Sequence, residues 1–315
     1  MSPENRSRIK IILDTDIADD IDDAIALCFA LGSPEFELLG VTVVYGDVET
    51  RARVARKLLR AWGRGGVPVV AGYERPLGFQ WHPGTVPEEC SQRAAVADEA
   101  EPISRTPTAD QFIAETVKRY PGEVYVLTIG AMTNVGAAMC AEPSLAGKIA
   151  GVVSLAGYLP PREKTPEWNV RYDPVAAGSV ARSGAAWTAI GADVQGDNGL
   201  TPAELRAIAA SAAPACKVLT ELIVLMKRNK GAGNPEVRGI QDVRRCHVAD
   251  VMSLASFLVG DQMDLRRGRI DVDATGALGF TAEADGPHRF ALAKLKGSTY
   301  RAEILRRILS APLKP

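Results

Sequence analysis

The chain has little net charge, few histidines and no paired cysteines. Lys and Arg total 37 against 38 Asp and Glu, a formal charge of −1. That lacks the basic excess or stripe expected of a nucleic-acid-binding domain. Five cysteines (Cys28, Cys90, Cys140, Cys216, Cys246) are odd in number and contain no C-x-x-C pair. A disulfide framework or a zinc site is therefore not expected, and a reducing cytoplasm is the natural setting. With three histidines in the chain, an isolated one is more often a surface or packing residue than a functional one. No apolar run is long enough for a membrane span. The first, Ile11-Ile12-Leu13, stops at Asp14 and is too short for a signal peptide. There is no internal repeat and no low-complexity tract. What remains is ordinary globular composition, 46% hydrophobic and 24% charged in 315 residues.

Short β-branched runs alternate with longer amphipathic stretches, which predicts an α/β fold with an open, mostly parallel, Rossmann-like sheet flanked by helices. Strands are expected at 9–13, 38–45, 67–70, 124–129, 149–155 and 188–190. Helices are expected at 22–31, 48–62, 109–119, 134–139, 173–182, 202–210, 215–228, 249–259 and 300–309. Residues 72–106 and 229–246 show no period, and loops of that length are usually lids or linkers. Periodic patterns resume after each, so residues 1–315 are expected to form a single domain with two mobile insertions.

The most informative segment is Asp14-Thr15-Asp16-Ile17-Ala18-Asp19-Asp20-Ile21-Asp22-Asp23, six aspartates in ten residues between the first strand and the first helix. In an open α/β sheet that strand end borders the crevice where ligands bind. Two carboxylates about 6 Å apart in water repel by roughly 0.7 kcal/mol, and by several times more when partly buried. Helix N-terminal amides offset one or two such charges, not six. Taken singly, Asp19, Asp20 or Asp22 is equally well a solvated capping residue. Taken together, the six call for a hard cation, and Ca²⁺ accepts about six to eight oxygen ligands. The spacing is not that of an EF-hand, so further ligands must come from elsewhere in the fold.

The opening run resembles the D-x-D-P-G-x-D-D-A-x-A-L motif of the inosine–uridine-preferring nucleoside hydrolase family, here Asp14-Thr15-Asp16 followed by Asp22-Asp23-Ala24-Ile25-Ala26-Leu27. The similarity continues through Leu39-Gly40-Val41-Thr42-Val43-Val44-Tyr45-Gly46-Asp47, Val67-Pro68-Val69-Val70-Ala71-Gly72, Gly130-Ala131-Met132-Thr133-Asn134, Glu167-Trp168-Asn169-Val170 and Asp173-Pro174. The resemblance implies Ca²⁺-dependent hydrolysis of ribonucleosides to ribose and free base. Asp16 then corresponds to the metal ligand that is also general base toward water. Asp23, the backbone carbonyl of Ile129 and Asp250 correspond to further metal ligands. Asp22, Glu167 and Asn169 correspond to residues that bind ribose hydroxyls, with Asp47 beside them where the family usually has Asn. A small-molecule ribonucleoside is the implied partner, and relatives of this kind are dimers or tetramers.

The departures bear on mechanism. Two extra residues separate Asp16 from the aspartate pair, which leaves Asp19-Asp20 as an alternative to Asp22-Asp23. The preferred pair is Asp22-Asp23, because Ala-Ile-Ala-Leu follows it directly. No clear counterpart of an Asn before Glu167 exists among Arg162, Glu163 and Lys164. The His that precedes the last ligand in nonspecific members, where it protonates the leaving base, is Ala249 here. Trp81, His82, Trp168 and His247 are the candidates for contacting the base, with Tyr158 a weaker one. For Trp168, a packing role is the favoured expectation. Two alternatives stand beside hydrolysis. One is a haloacid-dehalogenase-like phosphatase, because Leu13-Asp14-Thr15-Asp16 also resembles its h-D-x-D start. The other is a nucleoside-binding protein whose turnover has fallen with the loss of that His.

Overall fold

The chain alternates strand and helix in the order β1 (Ile9–Thr15), α1 (Asp22–Leu31), β2 (Phe36–Val43), α2 (Val48–Ala61), β3 (Val69–Ala71), α3 (Ala109–Arg119), β4 (Val124–Thr128), α4 (Thr133–Ala141) and β5 (Gly151–Leu155). It continues with α5 (Trp168–Tyr172), α6 (Pro174–Arg182), β6 (Trp187–Ile190), α7 (Pro202–Ala210), α8 (Pro214–Asn229), α9 (Val251–Val259), β7 (Leu265–Val272), β8 (Leu278–Ala282), β9 (His288–Ala291) and α10 (Thr299–Leu309). This computed structural model describes residues 8–78, 90–160, 162, 164–230 and 233–314.

All of these strands join one sheet in the order β3-β2-β1-β4-β5-β6-β9-β7-β8. The pairings from β3 to β9 are parallel, and β7 runs antiparallel to both β8 and β9. A parallel sheet is covered on both faces, so its strands are apolar on both sides. In β1, Ile11 and Leu13 pack into a core built mainly with α1, α2, α8 and α9, while Ile12 packs into a second core with α3, α4 and α6. Helix α1 is buried from Asp23 to Ala30, which places the aspartates before it at the base of a crevice rather than on a free surface. Among the described residues no helix is long and apolar enough to cross a membrane.

The chain passes from β1 to β2 and β3 on one side, then crosses to β4 on the other side of β1. This reversal creates a crevice beyond the carboxyl ends of β1 and β4, the usual ligand position in such folds. The expected strands and helices lie within a few residues of those observed. The omissions are the short α5 and β7–β9. Leu265–Val272 carries three arginines and a glycine, and its buried positions are isolated among exposed ones. Charge on the outer strands hid the alternation, and such charge is a common guard of sheet edges. The aperiodic 72–106 segment is also partly embedded. Cys90, Ser91 and Gln92 are buried, and the Ser91 hydroxyl donates to the Asp19 carbonyl (2.7 Å) while Gln92 Nε2 donates to the Asp20 carbonyl (2.8 Å).

Candidate active site

The end of β1 is tied to its neighbours before it opens into the crevice. The Asp14 carboxylate accepts from the Thr42 hydroxyl (2.6 Å) and Asn134 Nδ2 (2.7 Å), and Asn134 Oδ1 accepts the Tyr73 amide (3.0 Å). Burial pushes the Asp14 carboxyl up to about 7, against the pull of those two hydrogen bonds. Asp14 is thus a cross-link between strand ends rather than part of the cleft wall. The next turn contains Ala18 at φ 91°, and the turn after β2 contains Tyr45 at φ 77°. Side chains at such φ values store strain, and strain of this kind gathers at ligand sites.

Beneath this turn lies Arg51, wholly buried on the first turn of α2. Its guanidinium donates to the carbonyls of Asp16, Ile17 (2.8 Å) and Tyr45 (2.6 Å), and approaches the Asp19 carboxylate at 3.5 Å. It also sits 5.0 Å from the Tyr45 ring centre. One cation therefore holds the backbone of the acidic turn and balances part of its charge. Sequence analysis missed it. The available signal was an arginine near a helix N-terminus, where the macrodipole disfavours positive charge.

Above Arg51 is a cleft of about 580 Å³, whose acidic wall is Asp16, Asp19, Asp20, Asp22, Asp23, Glu167 and Asp250. Asp22, Asp23 and Asp250 each bring a carboxylate oxygen within 4.8 Å of the other two. Burial first, then Asp20 and Asp16, push Asp22 up to about 7. Burial and the neighbouring aspartates raise Asp23 and Asp250 well above the usual carboxylate range. Burial and Asp19 raise Asp16, with Arg51 pulling the other way. Asp20 differs: Lys230, 2.6 Å away, outweighs burial and lowers its pKa. The two aspartate pairs are thereby separated, Asp19 and Asp20 facing cations and Asp22 and Asp23 gathering with Asp250.

The opposite wall comes from β4, β5 and α5. Ile129 lines the cleft, and its carbonyl accepts from Asn169 Nδ2 (3.0 Å), which also donates to Leu155 (3.2 Å). Both bonds commit the Asn169 amide hydrogens and leave Oδ1 as its acceptor. Glu167 caps α5, accepting from the amides of Asn169 (3.0 Å) and Val170 (3.4 Å), and burial pushes it up to about 8 despite those bonds. Gly130 shows how tightly β4 meets the acidic turn. A methyl there would lie 2.8 Å from the Asp16 amide nitrogen and 3.0 Å from Asp16 Oδ1. Gly130→Ala is expected to cost about 1–3 kcal/mol by overpacking and, by moving Asp16, to lower turnover about 10²-fold. Urea unfolding read beside kcat checks both parts.

Trp168 does two jobs. It meets the Tyr45 ring edge-on at 6.2 Å and takes the Arg171 guanidinium at 5.1 Å, yet remains 39% exposed and lines the cleft. His247 and Ala249 lie in the same lining, with Tyr45, Leu155, Ala192, Gln195 and Lys230, which sequence analysis did not single out. Their signals are not local, since they arrive from separate segments of the chain, three of them loops and one the end of β5. Asp47 lies outside this lining. It caps α2, accepting from the Thr50 amide (3.0 Å) and hydroxyl (2.7 Å), and these bonds outweigh burial to lower its pKa. Trp81 and His82 lie outside the described residues. A second cavity of about 600 Å³, against Thr50, Arg53, Ser91, Arg93 and Asn229, has no carboxylate in its lining.

Known proteins share this arrangement of strands. The profile described as inosine-uridine preferring nucleoside hydrolase matches residues 11–307. Uridine nucleosidase 1 of Arabidopsis thaliana is 35% identical over 197 residues, 59% of this chain and 56% of that protein. The similarity thus spans a little over half the length of that relative. Pyrimidine-specific ribonucleoside hydrolase RihA of Salmonella enteritidis is 30% identical over 221 residues, 68% of this chain and 70% of its own. A solved plant nucleoside hydrolase has the same fold, with a TM-score of 0.77 over 97% of this chain and 100% of its own at 22% identity. On a profile match that runs from the first strand to the last helix, the chain belongs to the inosine-uridine preferring nucleoside hydrolase family.

Proposed function

We propose that the acidic cleft hydrolyses the N-glycosidic bond of ribonucleosides, releasing ribose and free base, with Ca²⁺ as its metal. The observation that carries this is the convergence of Asp22, Asp23 and Asp250 within 4.8 Å, in an environment that disfavours their ionisation. Such a set is costly unless a cation joins it. The donors that converge are carboxylate oxygens, which suits a hard divalent ion rather than zinc or copper. Asp23 and Asp250 of that set would hold it, joined, as the family motif implies, by Asp16, whose charge acts on both, and by the Ile129 carbonyl. When bound, the ion supplies a fixed positive charge that orients a ribose diol.

The chain's own groups supply the rest. Asp16 accepts the proton of the attacking water as it bonds to C1′. Asp22, Glu167 and Asn169 Oδ1 hold the sugar hydroxyls, and the surrounding negative charge favours an oxocarbenium-like ring. Trp168 offers apolar surface to a flat base. Family membership replaces the phosphatase alternative. The binding-protein alternative keeps one specific support, the methyl of Ala249 where a proton donor is absent. Incubation with inosine, adenosine, uridine and cytidine is expected to release ribose, to stop on chelation and to resume with added Ca²⁺. Calorimetric binding of a nucleoside with no ribose from any of the four would establish the binding protein instead.

A further inference from the structure

The leaving base needs help that Ala249 does not give, and a different pair of side chains in the cleft is arranged to give it. Gln195, in the turn after β6, accepts the Val248 amide through Oε1 at 2.9 Å, and its Nε2 lies 3.3 Å from His247 Nδ1. A backbone N–H only donates, so the amide oxygen must face Val248 and the NH₂ must face the ring. That NH₂ also only donates, which makes Nδ1 the bare nitrogen and puts the imidazole proton on Nε2. The turn itself is anchored, because the Gln195 carbonyl accepts from the amide (3.0 Å) and the side chain (3.0 Å) of the buried Asn198. Among the described residues no hydrogen bond engages His247 Nε2, and both Gln195 and His247 line the cleft.

We propose that Gln195 orients the His247 ring so that its Nε2–H donates to a carbonyl oxygen of the departing base, and that the site thereby selects bases that leave as carbonyl-stabilised anions. This rests on the hydrolase function proposed above. A proton on Nδ1 would set a ring N–H against the Gln195 NH₂, so the arrangement favours the tautomer that carries its N–H on Nε2. In the step, a water oxygen bonds to C1′ and its proton passes to the Asp16 carboxylate. The C1′–N bond breaks and its electron pair stays on the base, which departs as an anion and takes its proton from solvent. No proton leaves His247. Uracil fits, because its O2 carbonyl adjoins the glycosidic nitrogen and shares the charge. Adenine has only ring nitrogens and an amino group to offer.

The test compares uridine with p-nitrophenyl riboside, whose phenolate leaves without a donor. For His247→Ala, kcat is expected to fall about 10²-fold on uridine, the scale of one lost donor to developing negative charge, and less than about 3-fold on the p-nitrophenyl substrate. His247→Gln, which keeps an N–H donor, recovers part of the loss. Gln195→Ala lowers uridine turnover by a smaller factor in the same selective way. Equal losses on both substrates, or an undiminished uridine rate in His247→Ala, would overturn the assignment. A native protein that hydrolyses neither substrate would remove the hydrolase function itself, and this donor role with it.

Discussion

Asp16→Asn lowers kcat for ribonucleoside hydrolysis by about 10³-fold or more while the fold stays intact. The substitution keeps the shape of the side chain and removes its basicity. General base catalysis alone contributes about 10²–10⁴-fold, and an amide is also a poorer ligand for a hard cation than a carboxylate. The native state has little to lose. Burial and Asp19 already raise the Asp16 pKa, so its charged form is disfavoured by its surroundings. In chelator the thermal midpoint of the variant is therefore expected to equal or exceed that of the native protein. Steady-state ribose release and thermal melts measure the two parts separately. A variant that melts normally and hydrolyses at the native rate removes Asp16 from the role of base.

The second large effect is on stability. Arg51→Met takes away the one side chain that donates to the carbonyls of Asp16, Ile17 and Tyr45 at once. Methionine fills a similar space but leaves those carbonyls without that donor and Asp19 without a buried cation. Breaking a buried charged network by removing one partner costs about 3–5 kcal/mol. Surface pairs such as Arg269 with Glu283 are worth about 0–1 kcal/mol. Urea denaturation is expected to show the larger loss for Arg51→Met, with only partial recovery in Arg51→Lys, since an ammonium cannot reach three carbonyls from one fork. A loss below about 1 kcal/mol would mean that the acidic turn is held by other bonds. Activity should fall in parallel, because the Asp16 carbonyl is one of the groups that Arg51 fixes.

Different parts of the molecule were legible to different degrees. The alternation of strand and helix was readable because burial on a parallel sheet imposes continuous apolar runs, and helices impose a longer period on neighbouring residues. The acidic turn was readable because its charges are contiguous. The choice between Asp19-Asp20 and Asp22-Asp23 was not decided by spacing. In the folded chain Arg51 lies beside the first pair and Lys230 pairs with Asp20, while Asp250 meets the second pair. Asp47 shows the converse. Its place after a Tyr-Gly turn suggested a site residue, whereas its carboxylate is engaged by Thr50 as a helix cap.

The order of apolar and acidic residues along the chain determined the α/β class, the position of the cleft at the end of β1, and the crowding of charge there. Those properties depend on near neighbours and on the periodicity of strand and helix. The resemblance had already pointed to Asp22-Asp23 and Asp250, and the folded chain brings them together; tertiary structure alone decided that buried Arg51 braces the acidic turn and that Gln195 lies against His247. Each of these links joins residues tens to more than two hundred positions apart, and only the packing of separate loops over one sheet end brings such groups within a few ångströms.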